Sequence, residues 1–231
     1  MSNLHQFSGV VNLDKPPGIS SARAVDKVKR LLPRGCKIGH AGTLDPFATG
    51  VLLLLVGKAT KACERLMDQP KQYETTVKLG ATTATLDPES PEIPVQQAAP
   101  PRLEDVRAAL PGFLGSIEQR PPAFSAMKVG GRRASDLARD GKPVELEPRT
   151  VQVYGIELLD FAWPMLKLRI DCGRGTYIRS IARDLGETLG VGGYLTELRR
   201  TRVGEFGVAR AVSLDRLIAE GITPHLQPVS Q

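Results

Sequence analysis

Apolar and polar residues alternate along the chain with the periods of strands and helices. The apolar run Gly9–Lys15 predicts a strand that ends in a Lys-Pro-Pro-Gly turn. Ser20 or Ser21 then caps a predicted helix, in which three apolar residues fall on one side: Val25, Val28 and Leu32. A second apolar run, residues 51–56, predicts a buried strand and leads into a short amphipathic helix through Leu66.

Later segments carry the two-residue period of half-buried strands. They lie at residues 73–79, 151–153 and 166–172, and they predict an antiparallel or mixed sheet. Apolar residues at helical spacing between Tyr177 and Leu189 predict a helix that Gly190 ends. Strands and helices together indicate an α/β (α+β) fold.

Two segments stand apart from this pattern. Residues 79–101 contain no Lys or Arg and include five prolines from Asp87 onward, so we expect an extended surface connection. Residues 120–149 contain a Gly130-Gly131 hairpin turn and predict a protruding basic lobe with seven basic residues: Arg120, Lys128, Arg132, Arg133, Arg139, Lys142 and Arg149.

Length and composition narrow the class of protein. A chain of 231 residues, 41% hydrophobic, allows one large domain with a small inserted lobe. The longest aliphatic run has about six residues, far fewer than the ~20 needed to cross a bilayer, and no secretory signal begins the chain. We therefore expect a cytoplasmic protein that has no contact with a membrane.

Cofactor and metal motifs are incomplete. The three cysteines and three histidines are too scattered for a zinc site or a disulfide framework. The segment that begins at Gly173 matches only half of a dinucleotide fingerprint, and the segment 50–58 has the wrong spacing for a phosphate loop. We expect neither a metal nor a cofactor.

The formal net charge of +6 favours an anionic partner only because basic residues cluster. On composition alone, a solvated surface that keeps the protein soluble explains it equally well. Clusters in the lobe and at Arg199, Arg200 and Arg202 make a nucleic acid the leading partner, since phosphate neutralisation needs several cations on one face.

The segment 39–46 is the strongest candidate for chemistry. Asp45 precedes Pro46, and an arbitrary Asp-Pro pair most often starts a surface turn. Here two glycines, His40 and Asp45 lie in an irregular segment that leads directly into the apolar run at residues 51–56. We therefore expect Asp45 at the mouth of the core, with a cation nearby.

These residues resemble a known family. The sequence HAGTLDP at residues 40–46, continued by ATGVL at 48–52, resembles the catalytic motif of the TruB family, the tRNA pseudouridine-55 synthases. Further resemblances follow in the family's order and extend over about residues 9–217: LDKP at 13–16, GISS at 18–21, Tyr73, LG at 79–80, PP at 121–122, FSAMK at 124–128, GTYIR at 175–179 and LRR at 198–200.

The resemblance implies a pseudouridine synthase fold with a central mixed, largely antiparallel sheet, flanking helices and a thumb-like lobe at residues 120–149. It implies that a uridine in the tRNA T-stem-loop is detached from its ribose at nitrogen and rejoined through carbon, without cofactor or metal. Asp45 would be the nucleophile. Attack on the ribose, attack on the base and prior deprotonation of the sugar remain open.

The resemblance also assigns roles to other residues. Arg179 would balance the charge of Asp45, and Tyr73 would stack on the extruded uracil. Tyr177 and Leu198 would line the pocket, while His40 would contact the reorganised RNA loop. Phosphate contacts are expected from Lys128, Arg132, Arg133, Arg139, Arg199, Arg200 and Arg202. Lys15 is counted with the substrate-binding residues, although it also suits a role in supporting the active-site loops.

Two departures from the family and two rival functions remain. We expect a single catalytic domain over residues 1–231 without a C-terminal PUA-type module, and hence greater salt sensitivity of RNA binding. Ser135 stands where many relatives have a tyrosine. The rivals are a non-catalytic protein that remodels tRNA and a glycoside hydrolase, although the latter's second carboxylate has no obvious candidate. No obligate protein partner is expected.

Overall fold

A computed structural model describes residues 7–96, 99–142, 144 and 146–228. These residues contain six α-helices: α1 (Ser21–Lys29), α2 (Cys63–Asp68), α3 (Leu103–Ala109), α4 (Ala134–Arg139), α5 (Ile178–Thr188) and α6 (Leu214–Glu220). They also contain fourteen strands: β1 (Gly9–Lys15), β2 (Ile38–His40), β3 (Thr49–Val56), β4 (Lys71–Leu79), β5 (Ala81–Thr83), β6 (Glu92–Pro94), β7 (Gly115–Gln119), β8 (Lys128–Val129), β9 (Arg132–Arg133), β10 (Arg149–Ala162), β11 (Met165–Cys172), β12 (Gly193–Val203), β13 (Phe206–Gly207) and β14 (Val212–Ser213). The α/β class predicted from the sequence is confirmed.

The chain forms two compact units. The first unit comprises the described residues up to Glu74 and from Leu198 onward, and the second unit comprises Thr75–Glu197. Both boundaries fall inside strands, one in β4 and one in β12. The single catalytic domain expected from the sequence stays a prediction.

The first unit contains a mixed sheet in the order β14-β1-β3-β12. β1 pairs antiparallel with β3 from Gly9 opposite Val56 to Lys15 opposite Gly50, while β14 and β12 add parallel pairs. β3 lies inside this sheet, which explains why its apolar run is continuous rather than alternating. Its alternate residues Val51, Leu53 and Leu55 pack in one buried cluster with α2 and β13.

Helix α1 begins where the sequence predicts. Ser20 is the N-cap, and its side chain accepts a hydrogen bond from the Arg23 backbone N–H. Ala24 and Val28 are buried on the inner side of the helix. Val25 is only half-buried, and Leu32 lies beyond the last turn of the helix.

The second unit contains an antiparallel arrangement in which β10 pairs with β11 and with β7. The predicted period-two pattern is confirmed, because Leu166, Leu168, Ile170 and Cys172 are all buried. Helix α5 places its apolar stripe inward, and the predicted end is confirmed, since Gly190 follows the last turn with a φ of +71°.

The expectation for residues 79–101 is wrong in its central part. Strands β5 and β6 pair with each other, and the turn that follows β5 is buried rather than exposed. Thr83, Thr85 and Asp87 are polar but buried, because their side chains and backbone form hydrogen bonds with one another. Of the five prolines, Pro94 ends the exposed strand β6, and the other four lie outside the strands in largely exposed parts of the segment.

Candidate active site

Asp45 lies in the connection between β2 and β3 of the first unit. Residues 41–48, called the Asp45 loop below, form neither helix nor strand, and Asp45 itself is half-buried. A loop of this kind has few backbone hydrogen bonds to define its shape. Four of its carbonyl groups are bound by side chains from three distant parts of the chain.

Lys15, the last residue of β1, binds one end of the loop. Its Nζ donates to the carbonyl oxygens of Pro16 at 2.8 Å, Ile19 at 2.8 Å and Pro46 at 3.2 Å. An ammonium group has three N–H donors, and all three are directed at backbone carbonyls of a fully buried site. The expected RNA contact of Lys15 is therefore wrong, because its ammonium group is buried. The hydrogen bonds fit its other suggested role, which is to support the active-site loops.

Ser21 binds the middle of the loop. Its Oγ accepts a hydrogen bond from the Leu44 N–H at 2.8 Å and donates one to the Leu44 carbonyl at 2.9 Å. Both polar groups of the residue before Asp45 are thus satisfied by one buried hydroxyl. The Asp45 backbone is fixed directly against the first turn of α1.

Arg200 on β12 binds the other end of the loop. Its guanidinium donates to the carbonyl oxygens of Val51 at 2.7 Å, Gly42 at 3.1 Å and Thr43 at 3.4 Å. The side chain is 1% exposed, so the expected phosphate contact of Arg200 is wrong. An arginine buried in this way positions the Asp45 loop instead.

A close approach of backbones accompanies the Arg200 contacts. Gly50 pairs with Arg200 across β3 and β12 and has a φ of +100°, in the left-handed region that favours glycine. A Cβ at Gly50 would lie 2.2 Å from the Arg200 carbonyl oxygen. Only glycine fits between the loop and this strand.

His40 ends β2 immediately before the loop. Burial and the nearby charge of Arg200 lower the pKa of His40 from its ordinary value of 6.5, opposed by a backbone hydrogen bond with Gly42. The imidazole is therefore neutral at pH 7. Its Nδ1 is buried and has no hydrogen-bond partner among the described residues. A neutral ring can donate one hydrogen bond and accept another, and the expected RNA contact of His40 stays a prediction.

Tyr73 on β4 and Leu198 on β12 are the apolar candidates of the first unit. Both are buried, with 8% and 7% of their surface exposed. Burial of this kind is common for core side chains, and the expected contacts with a uracil ring stay predictions.

Arg199 and Arg202 remain at the surface beside the buried Arg200. Arg202 is exposed. Arg199 forms an ion pair with Asp14 at 2.8 Å and donates to the Thr49 hydroxyl at 3.2 Å, so part of its charge is already balanced.

Arg179 lies at the start of α5 in the second unit and is buried. Its guanidinium donates to the carbonyl oxygens of Thr85 and Phe124, each at 2.8 Å. It also forms an ion pair with Asp87 at 3.3 Å, in which the two side chains are 4% and 3% exposed. The predicted pairing of Arg179 with Asp45 stays a prediction, because the two residues belong to different units.

Asp87 is a candidate residue that the sequence analysis missed. Its carboxylate accepts hydrogen bonds from the Thr85 hydroxyl at 2.5 Å and the Glu89 N–H at 3.0 Å. These two hydrogen bonds fix the carboxylate that pairs with Arg179. Loss of Asp87 would leave the charge of Arg179 buried and uncompensated. The period-two placement of Thr83, Thr85 and Asp87 was the available signal.

Tyr177 caps α5 and is half-buried. The side-chain amide of Gln119 binds its backbone twice, accepting from the N–H at 2.7 Å and donating to the carbonyl at 3.1 Å. The Arg149 guanidinium lies 5.0 Å from the centre of the Tyr177 ring. Gln119 thereby holds the backbone of Tyr177 and Arg149 lies over its ring, and neither residue was identified as a site residue from the sequence.

The basic lobe contains the predicted hairpin. β8 and β9 pair around Gly130 and Gly131, whose φ values of +56° and +82° suit a type I′ turn. Lys128, Arg132 and Arg133 are exposed on it. Arg132 forms an ion pair with Asp140 at 2.6 Å, and Arg139 forms one with Asp136 at 3.6 Å, so part of the charge is internally balanced.

Within the described residues, no group of three or more His, Cys, Asp or Glu side chains could hold a metal ion. In the same part of the chain, no helix is long and apolar enough to span a bilayer.

Sequence comparison places this site in a family. A family model described as the N-terminal domain of the TruB family pseudouridylate synthases matches residues 29–178. The chain belongs to the TruB family. A second model, the C-terminal domain of tRNA pseudouridylate synthase B, matches residues 179–228 of this TruB-family chain.

Individual relatives agree with this assignment. A protein named tRNA pseudouridine synthase B from Pseudomonas fluorescens strain Pf-5 is 47% identical over 212 residues, which cover 92% of this chain and 69% of that protein. Its namesake from Caulobacter vibrioides is 46% identical, over 91% of this chain and 67% of that protein.

Among solved structures, a chain in the crystal structure of a Cbf5-Nop10-Gar1 complex matches with a TM-score of 0.75 and 31% identity. The match covers 97% of this chain and 61% of that one. The TruB-family chain thus spans about three fifths of the solved chain's length. The likeness supports the pseudouridine synthase fold.

Proposed function

We propose that this TruB-family chain isomerises the uridine at position 55, in the T loop of tRNA, to pseudouridine, with Asp45 as the nucleophile. The observation that carries the proposal is the Asp45 loop. Four of its carbonyl groups are bound by buried side chains, so the carboxylate is presented from a rigid position without secondary structure. Such fixed placement is what catalysis by positioning requires.

The reaction rearranges one nucleotide without adding or removing atoms. The bond between ribose C1′ and uracil N1 breaks, a bond between C1′ and C5 forms, and the proton lost from C5 is balanced by one gained at N1. A single carboxylate can assist either by attack or by accepting a proton from the sugar. The chain's contribution is to hold that oxygen and to orient the detached base.

The remaining site residues have distinct proposed roles. Arg179, held by Asp87, favours the charged form of the Asp45 carboxylate. Tyr73 stacks on the extruded uracil, for which base–aromatic stacking supplies about 1–3 kcal/mol. Tyr177 and Leu198 line the pocket, and the neutral imidazole of His40 binds the RNA that remains after the base leaves its stack.

The proposed substrate also determines the partner and the compartment. Extruding a base costs a few kcal/mol, which contacts to the tRNA backbone offset. The solved relative is a complex with partner proteins. For this chain we propose direct recognition of the tRNA T-stem-loop without an obligate protein partner, in the cytoplasm.

The decisive experiment compares wild type with Asp45→Asn on an unmodified tRNA transcript. We expect pseudouridine at position 55 only with wild type, because the amide cannot act as nucleophile or base. Retention of tRNA on a filter should be equal for both. The matched control is Asp160→Asn, which removes an exposed carboxylate from β10 and should leave the product yield unchanged.

Product formation by Asp45→Asn would refute the role of Asp45. Binding without product by wild type would favour the non-catalytic RNA-remodelling function. Release of free uracil would favour the glycoside hydrolase.

A further inference from the structure

The positive charge of the chain is concentrated in one short segment. Residues 22–37 contain six basic residues and one acidic residue, Asp26, which gives a net charge of +5 in a chain whose total is +6. The basic lobe at residues 120–149, with seven basic and four acidic residues, has a smaller net charge of +3. The largest local excess of positive charge therefore lies outside the lobe.

Three of these cations form a stripe along α1. Arg23, Lys27 and Arg30 follow the spacing i, i+4, i+7, which places them within an arc of about 60° on the helix surface. Arg30 is the C-cap and keeps helical dihedral angles. Arg23 and Arg30 are exposed and Lys27 is half-buried, whereas Ala24 and Val28 lie on the buried side of the helix. This α1 stripe therefore faces mainly outward.

The charges of the α1 stripe are not balanced within the described part of the chain. None of its three residues forms an ion pair there, and the neighbouring Asp26 forms none either. Elsewhere, exposed cations pair routinely, as Arg132 does with Asp140 and Arg169 with Glu157. Three unpaired cations on one helix face suit a polyanion better than they suit the fold.

The α1 stripe starts beside the candidate active site. Ser21, in the first turn of α1, binds Leu44 in the Asp45 loop through two hydrogen bonds, and both elements belong to the first unit. From Arg23 to Arg30 the helix rises about 10 Å, so its three cations are spread along the helix rather than gathered at one point. The stripe therefore extends from the loop along the helix.

We propose that the α1 stripe binds consecutive phosphates of the substrate RNA, beside the nucleotide presented to Asp45. The inference rests on the proposed function and adds a contact surface in the first unit to the lobe of the second. Each cation neutralises one phosphate and releases the counterion condensed there. The surface contributes to affinity and fixes the position of the RNA on the protein, but it does not recognise the RNA sequence.

The test is the triple variant Arg23→Ala, Lys27→Ala, Arg30→Ala, assayed for binding of unmodified tRNA transcript in a salt titration. Loss of three phosphate contacts should reduce the slope of log affinity against log salt by about 2–3. The loss of affinity between about 50 mM and about 200 mM salt should then be some 20- to 40-fold smaller than for wild type. The high helix propensity of alanine offsets the loss of two cations at the C-terminal end of α1, so the melting temperature should change little.

The control is Arg107→Ala, Lys167→Ala, Arg216→Ala, which removes the same net charge from exposed positions on other elements. It should leave the slope at the wild-type value. The proposal would be overturned if the salt slope of the α1 triple variant equalled that of wild type, or if both variants changed it equally. The α1 stripe would then be an ordinary solvated surface. Absence of pseudouridine formation by wild type would instead refute the proposed function.

Discussion

Arg200 is a charged residue that is buried because backbone carbonyl groups surround its guanidinium. Burying an unpaired cation is costly, but each charge-assisted hydrogen bond recovers about 1.5–3 kcal/mol. Arg200 makes three contacts of this kind with the Asp45 loop and the start of β3. It acts on Asp45 through the loop rather than on the substrate.

We predict that Arg200→Lys lowers kcat by about 10- to 100-fold with a much smaller change in KM, because lysine keeps the charge but cannot span three carbonyls. Steady-state kinetics on tRNA transcript measures the two constants. Arg199→Lys is the matched control, since the neighbouring arginine forms a half-exposed ion pair and its replacement should leave kcat near wild type. Equal effects of the two variants would contradict a positioning role for Arg200.

At the scale of elements, helix α5 and strand β12 come together through glycine. A Cβ added at Gly186 would lie 2.2 Å from the Gly192 carbonyl carbon and 2.3 Å from the Gly193 nitrogen. Neither backbone atom can move aside as a flexible side chain would. The close contact lies near the C-terminal end of α5 and fixes how closely this helix approaches the start of β12 within the second unit.

We predict that Gly186→Ala lowers the free energy of unfolding by about 1–3 kcal/mol through overpacking, despite the better helix propensity of alanine. Chemical denaturation measures the change. Gly112→Ala is the control, because a Cβ there meets nothing within 4 Å and the glycine has an ordinary φ. If the Gly186→Ala protein were as stable as the Gly112→Ala protein, α5 and the backbone at Gly192 and Gly193 would be able to move apart without loss of stability, and the prediction would be wrong.

The elements themselves were largely predictable from the sequence. β1 begins and ends as expected, and β3 and α5 differ from the prediction by one or two residues, because apolar periodicity reflects burial directly. The turn at Asp87 had only the two-residue spacing of Thr83, Thr85 and Asp87 as a signal, and this signal was weak because polar residues that satisfy one another in the interior have the composition of an exposed loop. Arg200 had a partial signal, because strand alternation places it on the same face as Leu198, but its charge suggested solvent.

At the scale of the whole molecule, basic surfaces differ in how many of their cations already have an acidic partner. The net charge of the chain does not show this difference. In the lobe, Arg133 forms no ion pair within the described residues, whereas Arg132 is bound to Asp140. An RNA phosphate must compete with Asp140 for Arg132, so the two neighbouring arginines are not equivalent.

We predict that Arg132→Ala, Arg133→Ala weakens tRNA binding and reduces its salt slope by about 1–2, with Arg133 responsible for the larger share. Salt titrations of the double and both single variants, monitored by filter retention, measure the contributions. The decrease should add to that of the α1 triple variant, because the residues share no partner. A wild-type slope for the double variant would exclude the lobe from the RNA interface.

The attachment of the Asp45 loop has a practical consequence for protein engineering. Lys15, Ser21 and Arg200 come from both ends of the chain, yet together they define one short irregular segment. A synthetic peptide copying residues 40–50 would lack every one of these anchors and would be conformationally heterogeneous in water. Grafting this carboxylate into another scaffold therefore requires transplanting the three anchors with it, as a discontinuous unit of design.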